Sequence, residues 1–471
     1  RTTNTADTGN CPVLTEEQAI ELSCNASFPL IRNQDGSVKS AFANFAVIAM
    51  NDPYLRGRLT KSSFDNHVYA ESFFWHIEKH MVNDDDLSWI RRHFSLVYRI
   101  DNRDNVYAAV RMVAGQNTFH PVQDLLNSLH WDGVSRIGEL LPRFLGAERS
   151  ELTTAVTLLM LHGAIQRVFN PGCKFDYCIV LQGGQGSGKS SLVRFLALKD
   201  KWFCDSLNDM SRLKESFETI CGHWICELGE MLVTRKTKEL EAIKSYLSRA
   251  TDTYRLPYDR VAQDIPRQCI FIGTSNKPQM LPSDMTGNRR FIPVVCDANK
   301  AEVHPMADEA ETREFIRQCY AEAISIGKAS GWRLVLDRKF DEELNAAREA
   351  ATPEDTRIGM IQQYLDTHPD VNAVCSRMIF DNVFLGTFET RQPASYELQD
   401  ISDLMNLHID GWKPYCTKTG TRGQKRFEKY GRQRAWVRSV NADERNVNAD
   451  GDDMQLIDDN SQSETPFDGE R

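Results

Sequence analysis

The sequence lacks the cysteine patterns of a metal-binding or disulfide-linked protein. Its 12 cysteines are scattered singly, without a C-x-x-C pair and without a nearby histidine group at zinc-finger spacing. This distribution indicates reduced thiols and argues against a zinc site or a disulfide framework. We therefore expect a protein of a reducing, cytoplasmic compartment.

A long hydrophobic run is missing too. No apolar stretch approaches the roughly 20 residues that a membrane helix needs. The richest run, Ala155 to Ile165, is interrupted by His162 and predicts a buried helix. We expect a soluble protein without membrane contact. Because the chain starts at Arg1 with no signal-peptide pattern, we also expect residue 1 to be a fragment boundary or a processed end.

The chain has no excess of positive charge, since its formal net charge is −10. The segment from Asn441 to Arg471 holds ten acidic and two basic residues and carries −8 of that charge. The rest of the chain is almost neutral, which leaves room for local basic patches that bind nucleic acid.

A glycine-rich stretch, GGQGSGKSS, is the strongest motif that the sequence does contain. It fits the pattern G-x-x-x-x-G-K-[ST]. An apolar run, Cys178 to Leu181, precedes it, and a helical segment follows. Backbone amides of such a loop bind phosphates, the lysine reaches the β- and γ-phosphates of ATP, and the first serine ligates Mg²⁺. The predicted phosphate-binding residues are Gly183, Gly184, Gln185, Gly186, Ser187, Gly188, Lys189, Ser190 and Ser191.

Two further apolar runs end in polar residues suited to phosphate chemistry. The first, His223 to Cys226, is followed by Glu227, and Glu230 comes three residues later. We interpret Glu227 as a Mg²⁺ ligand with Ser190, and Glu230 as a candidate catalytic base. The second run leads to Asn276, which can orient the attacking water. Surface glutamates and an ordinary turn asparagine remain the alternative interpretation.

Arginines flank the run that leads to Asn276 on both sides. Before it, Arg255, Tyr258 and Arg260 surround a proline turn, which suits a hairpin that contacts phosphates and stacks on bases. After it, Arg289 and Arg290 precede another strand, where one of them can neutralise transition-state charge from a neighbouring subunit. The alternative interpretations are a solvated hairpin and a solvated arginine pair without these roles.

Six segments in order resemble the virulence-associated E family, within the phage and mobile-element superfamily 3 helicases. They span about residues 120 to 294 and read HPVQDLLNSLHWDGVSRI, LQGGQGSGKSS, HWICELGE, DTYRLPYDR, FIGTSN and TGNRRFIPV.

This resemblance implies an AAA+-type P-loop ATPase that assembles as a homo-hexamer around DNA and translocates with ATP and Mg²⁺. It implies that Glu227 is the Mg²⁺ acid, Asn276 the first sensor and Arg289 or Arg290 the arginine finger, with the pore hairpin over 255–260. Single-stranded DNA would lie in the pore, inside a bacterium or a phage-infected host, and a primase is a further candidate partner. The single acid that ends the Trp224 strand departs from the family pattern and leaves the base open.

The C-terminal part has the element order of a winged helix, with three helices followed by a β-ribbon. Lys425, Arg426, Arg432 and Arg434 lie along the ribbon, so we expect duplex DNA to bind there. A basic face without a partner, or one that docks on the acidic tail, is the alternative.

These observations predict an α/β fold class, with a P-loop AAA+-type core between a mainly helical N-terminal domain and a winged-helix-like C-terminal domain. The predicted divisions are a disordered N-terminus (1–14), the helical domain (15–115), the ATPase core (116–335), the DNA-binding domain (355–440) and the disordered acidic tail (441–471). The predicted function is an ATP-dependent replicative DNA helicase. An ATP-regulated replication initiator or switch, and a P-loop nucleic-acid kinase, are the alternatives.

The acidic tail predicts competition with DNA for the basic ribbon. Deletion of residues Asn441 to Arg471 is expected to tighten DNA binding at low salt, because the tail carries a net charge of −8. A titration of duplex DNA against both forms at two salt concentrations measures this. Equal affinities at low salt would contradict the competition.

Overall fold

The computed structural model divides into two compact units, with the boundary after Pro353. The residues that the structure describes are 13–205, 219–229, 243–254, 262–281, 285–353, 355–385, 391–417 and 420–439.

The N-terminal part of the first unit combines four helices with a small sheet. The helices are α1 (Glu16–Cys24), α2 (Phe42–Asn51), α3 (Asp84–His93) and α4 (Arg103–Ala114). The strands, in the order β3-β2-β1-β4, are β1 (Leu59–Ser62), β2 (Val68–Ala70), β3 (His80–Met81) and β4 (Thr118–Phe119). The expectation of a mainly helical domain omitted this sheet, because strands of two to four residues are too short to show an alternating pattern.

A five-stranded parallel sheet forms the centre of the first unit. Its strands are β5 (Cys178–Gln182), β6 (Phe203–Cys204), β7 (Ile225–Gly229), β10 (Ile270–Ser275) and β11 (Phe291–Val295), in the order β11-β5-β10-β7-β6. Between β7 and β10 in the chain, β8 (Thr251–Tyr254) and β9 (Gln263–Pro266) pair as a separate antiparallel hairpin. Since all five strands run the same way, their carboxyl ends lie at one edge, where ligands of open parallel sheets bind.

Both faces of the central sheet are buried, as expected for parallel strands. Alternate residues of one strand point to opposite faces, so Ile179 and Leu181 join one hydrophobic cluster while Cys178 and Val180 join the other. The helices of this region are α5 (Pro121–Ser128), α6 (Ile137–Leu145), α7 (Glu151–Phe169), α8 (Lys189–Leu196), α9 (Glu309–Ser330) and α10 (Asp341–Ala351).

Helix α7 is the one helix, among the described residues, that is long and apolar enough to cross a membrane by length and composition. Within its apolar window, 72% of the residues are buried inside the protein. His162 is fully buried and its two ring nitrogens contact Ala323 O and Arg333 N. The prediction of a buried helix is confirmed, and α7 is a core helix of the first unit.

Among its described residues, the second unit contains three α-helices and two small antiparallel sheets, and the strand β12 (Ala373–Val374) lies between the first two helices. The helices are α11 (Thr356–Thr367), α12 (Ser376–Ile379) and α13 (Ser395–Leu407). One sheet has the order β12-β16-β13, with β13 (Trp412–Pro414) and β16 (Trp436–Arg438). The other is a hairpin of β14 (Gln424–Phe427) and β15 (Gly431–Arg434), called the basic hairpin below. The predicted order of helices and then a β-ribbon is confirmed, and the winged-helix assignment stays a prediction.

Candidate active site

The segment Gly183–Gly188, called the glycine loop below, leaves the carboxyl end of β5 and leads directly into α8. Gly186 and Gly188 have φ values of 76° and 84°, a region that disfavours side chains. A Cβ atom on Gly183 would lie 2.5 Å from the carbonyl oxygen of Cys296. Glycine is therefore required at these positions by backbone conformation and by close packing.

Lys189 begins α8, and its ammonium group lies inside the glycine loop. Its Nζ donates to the carbonyl oxygens of Gly183 and Gly184, at 2.8 and 2.7 Å, and contacts Asn276 Oδ1 at 3.2 Å. The residue is only 5% exposed. Burial lowers the pKa of Lys189, and the nearby Glu227 carboxylate opposes that change. A bound polyphosphate would further favour the charged ammonium.

Ser190 and Glu227 meet beside the lysine. Ser190 Oγ donates to Glu227 Oε1 at 2.6 Å, and Thr274 Oγ1 donates to the same oxygen at 2.6 Å. Glu227 is 6% exposed and lies within β7 rather than at the end of its strand, because β7 continues to Gly229. Sequence reasoning missed Thr274, which faces Glu227 from the neighbouring strand β10.

A cavity of about 520 Å³ surrounds these groups. Its lining residues are Gln185, Gly186, Ser187, Gly188, Lys189, Ser190, Ser191, Asp205, Glu227, Gly229, Thr274, Ser275, Asn276 and His304. The predicted residues Lys189, Ser190, Glu227 and Asn276 are therefore brought together by three different strands. Asp205 and His304 were missed, although Asp205 could have been found as an acid that follows a short apolar run.

The cavity residues fit a nucleoside triphosphate with Mg²⁺. The volume lies within the range of about 300–1,000 Å³ that is usual for small-molecule sites. A serine hydroxyl and a carboxylate are hard oxygen ligands that suit Mg²⁺. In the part of the chain that the structure describes, no three His, Cys, Asp or Glu side chains form a metal site, so Mg²⁺ here would take its other ligands from phosphate oxygens and water.

The arginine pair lies at the opposite edge of the central sheet. Phe291 aligns with Cys178, so Arg289 and Arg290 precede the amino end of β11. Five residues of strand, about 16 Å, separate them from the glycine loop of the same chain. Arg290 Nε donates to Ser248 Oγ at 2.8 Å and lies 3.8 Å from Asp176 Oδ2. Arg289 is exposed, and its carbonyl oxygen accepts from Arg348.

The strands of the predicted DNA hairpin are present as β8 and β9. A buried ion pair between Asp252 and Arg267 holds the base of this hairpin, with N–O distances of 2.9 and 2.6 Å. Arg255, Tyr258 and Arg260 lie outside the described residues, as does Glu230.

The basic hairpin of the second unit exposes all four of its predicted DNA-binding residues. Arg426 and Arg432 are directly opposite each other across the two strands. Like charges in this position repel, and an anion placed between them relieves the repulsion. Arg438, another basic residue of this unit, instead donates to the carbonyl oxygen of Leu365 and covers Trp412.

Comparisons with known proteins identify one domain of the chain. Residues 126–353 match the virulence-associated protein E-like domain. The chain is similar to the apo structure of the NrS-1 C-terminal region (305–718), with 13% identity over 81% of this chain and 95% of that chain, at a TM-score of 0.44. The A form of that apo region gives 12% identity over 81% and 96%, at a TM-score of 0.45. No curated protein matches. Residues 126–353 of this chain therefore form a virulence-associated protein E-like domain.

Proposed function

We propose that this chain is an ATP- and Mg²⁺-dependent DNA helicase of a phage or mobile genetic element. It acts in replication in the cytoplasm of a bacterium or a phage-infected host, as a ring on DNA. One observation carries the proposal: Lys189, Ser190, Glu227 and Asn276 line a single cavity at the carboxyl edge of a parallel sheet. The family match supports the same activity.

Each of these residues has a distinct role in the proposed P-loop AAA+-type core. Backbone amides of the glycine loop and the Lys189 ammonium bind the phosphates. Ser190 and Glu227 would hold Mg²⁺, which when bound would supply positive charge against the transferring phosphoryl group. Asn276, next to the Lys189 ammonium, contacts the γ-phosphate or the attacking water. Together these groups position ATP for in-line attack by water.

The position of the arginine pair supports a ring. Because Arg289 precedes the amino end of β11, it is too far from the glycine loop of its own chain. It can complete the site of a neighbouring subunit, which requires a head-to-tail interface that closes on itself. Arg290 is already engaged by Asp176 and Ser248, so Arg289 is the better finger candidate. We propose the homo-hexamer of superfamily 3 helicases as the closed form.

DNA contacts are proposed in both units. In the first, the β8–β9 hairpin would contact single-stranded DNA in the pore, and the Asp252–Arg267 pair ties that hairpin to the strand that leads to Asn276. In the second, the basic hairpin would act as the wing of a winged helix and bind the backbone of duplex DNA. Helix α13 contains three acidic and no basic residues, so the hairpin is the stronger phosphate-binding element of this unit.

The double variant Arg426→Gln/Arg432→Gln is expected to weaken duplex DNA binding. Each lost phosphate contact should lower the slope of log affinity against log salt by about 1, hence by about 2 in total. Fluorescence anisotropy of a labelled duplex at several salt concentrations measures this slope. The control is Lys413→Gln, which removes an exposed charge of the same unit outside the hairpin. A slope equal to that of the wild type would contradict phosphate binding by the hairpin.

A further inference from the structure

A second carboxylate lies in the cavity next to Glu227. Strands β6 and β7 are parallel neighbours in which Phe203 aligns with Ile225 and Cys204 with Cys226. Asp205 directly follows Cys204, and Glu227 directly follows Cys226, so the same alignment carried one residue beyond β6 sets Asp205 beside Glu227. Aligned residues of neighbouring strands point to the same face, and both residues line the cavity.

The two carboxylates have different surroundings. Glu227 is buried, and its Oε1 accepts hydrogen bonds from Ser190 and Thr274. Asp205 is exposed to the solvent of the cavity. One acid is thus buried against the serine of the proposed Mg²⁺ site, while the other is an exposed residue of the cavity lining.

We propose that Asp205 is a catalytic residue that orients the attacking water; this rests on the proposed function. Its carboxylate accepts a hydrogen bond from the water, whose oxygen attacks the γ-phosphorus of ATP. A new P–O bond forms, and the bond from the γ-phosphorus to the bridging oxygen breaks with its electron pair going to ADP. The proton of the water passes through the carboxylate to the phosphate product.

The other described groups around the cavity are less suited to this role. His304 uses both ring nitrogens, since Nδ1 accepts from Met306 N at 3.2 Å and Nε2 donates to Gly186 O at 3.3 Å. Among the described residues that line the cavity, Asp205 and Glu227 are the only carboxylates. Asp205 therefore supplies an acid at a site where the sequence left the base open.

The test is Asp205→Asn, with Asp200→Asn as the matched control. Asp200 is an exposed acid five residues earlier that pairs with Arg194 and Arg313 and does not line the cavity. At saturating Mg²⁺ and ATP, Asp205→Asn should lower kcat by about 100-fold or more, while Asp200→Asn keeps it. Affinity for a non-hydrolysable ATP analogue with Mg²⁺, measured by calorimetry, should stay within about threefold of wild type. Asp205→Glu should restore part of kcat.

Three outcomes would overturn the role. An Asp205→Asn kcat within about threefold of an active wild type would remove Asp205 from the chemistry and leave the helicase proposal intact. Weaker binding of the analogue with Mg²⁺ and an unchanged kcat would make Asp205 a metal ligand. Absence of ATP hydrolysis by the wild type would end the proposed function, and the role of Asp205 with it.

Discussion

Lys189→Ala is expected to abolish ATP hydrolysis while the protein stays folded. The ammonium lies at the centre of the glycine loop and would contact the transferring phosphate. Loss of one preorganised charge from such a site costs about 100- to 1,000-fold in rate. Steady-state phosphate release at saturating ATP measures the effect.

The fold should survive this change because Lys189 itself lines the cavity, from which water can enter the space that its side chain leaves. The carbonyl oxygens of Gly183 and Gly184 can accept from water in place of Nζ. Thermal unfolding should therefore change little. Lys300→Ala, which removes an exposed lysine outside the cavity, is the control and should keep full turnover. An active, folded Lys189→Ala protein would contradict the site assignment.

Arg289→Ala is expected to abolish hydrolysis while ATP binding is kept. An arginine finger contributes about 10³- to 10⁵-fold to the rate of phosphoryl transfer, and Arg289 lies away from the glycine loop of its own chain. Binding of a fluorescent ATP analogue and phosphate release, measured on the same samples, separate the two effects. Arg290→Ala should keep more turnover, because Arg290 is bound to Asp176 and Ser248 within its own chain.

A mixing experiment shows whether the arginine acts between subunits. Arg289→Ala subunits keep an intact glycine loop, and Lys189→Ala subunits keep an intact arginine. If the two are mixed in equal amounts and assemble randomly, about one interface in four pairs a working loop with a working arginine. Hydrolysis should then recover to about a quarter of wild type. No recovery from mixed particles, or full activity of Arg289→Ala alone, would contradict a finger supplied in trans.

The sequence predicted the central α/β region well, because its signals are local. The β5 run, the glycine motif and α8 follow one another within 20 residues, and the strand starting near Cys269 shows an uninterrupted apolar pattern. The short strands of the N-terminal sheet escaped prediction because runs of two to four residues are too short to show an alternating pattern.

The candidate site was predictable in its parts but not in its arrangement. Lys189 was identified from the glycine-rich motif, and Glu227 and Asn276 from the ends of apolar runs; the structure brings all three into one cavity. Asp205 follows a strand of only two residues, and His304 lies in a loop after β11. The run before Asp205 is a weak signal and His304 has none, so their place at the cavity depends on strand order and register. The roles of all these residues stay predictions.

ATP hydrolysis with and without single-stranded DNA, measured together with particle mass in the same buffer, tests the central claim most directly. We expect turnover that is stimulated by DNA and requires Lys189. It should come from a particle of hexamer size. Negligible turnover from a monomer that still binds duplex DNA would contradict the helicase and favour an initiator or switch.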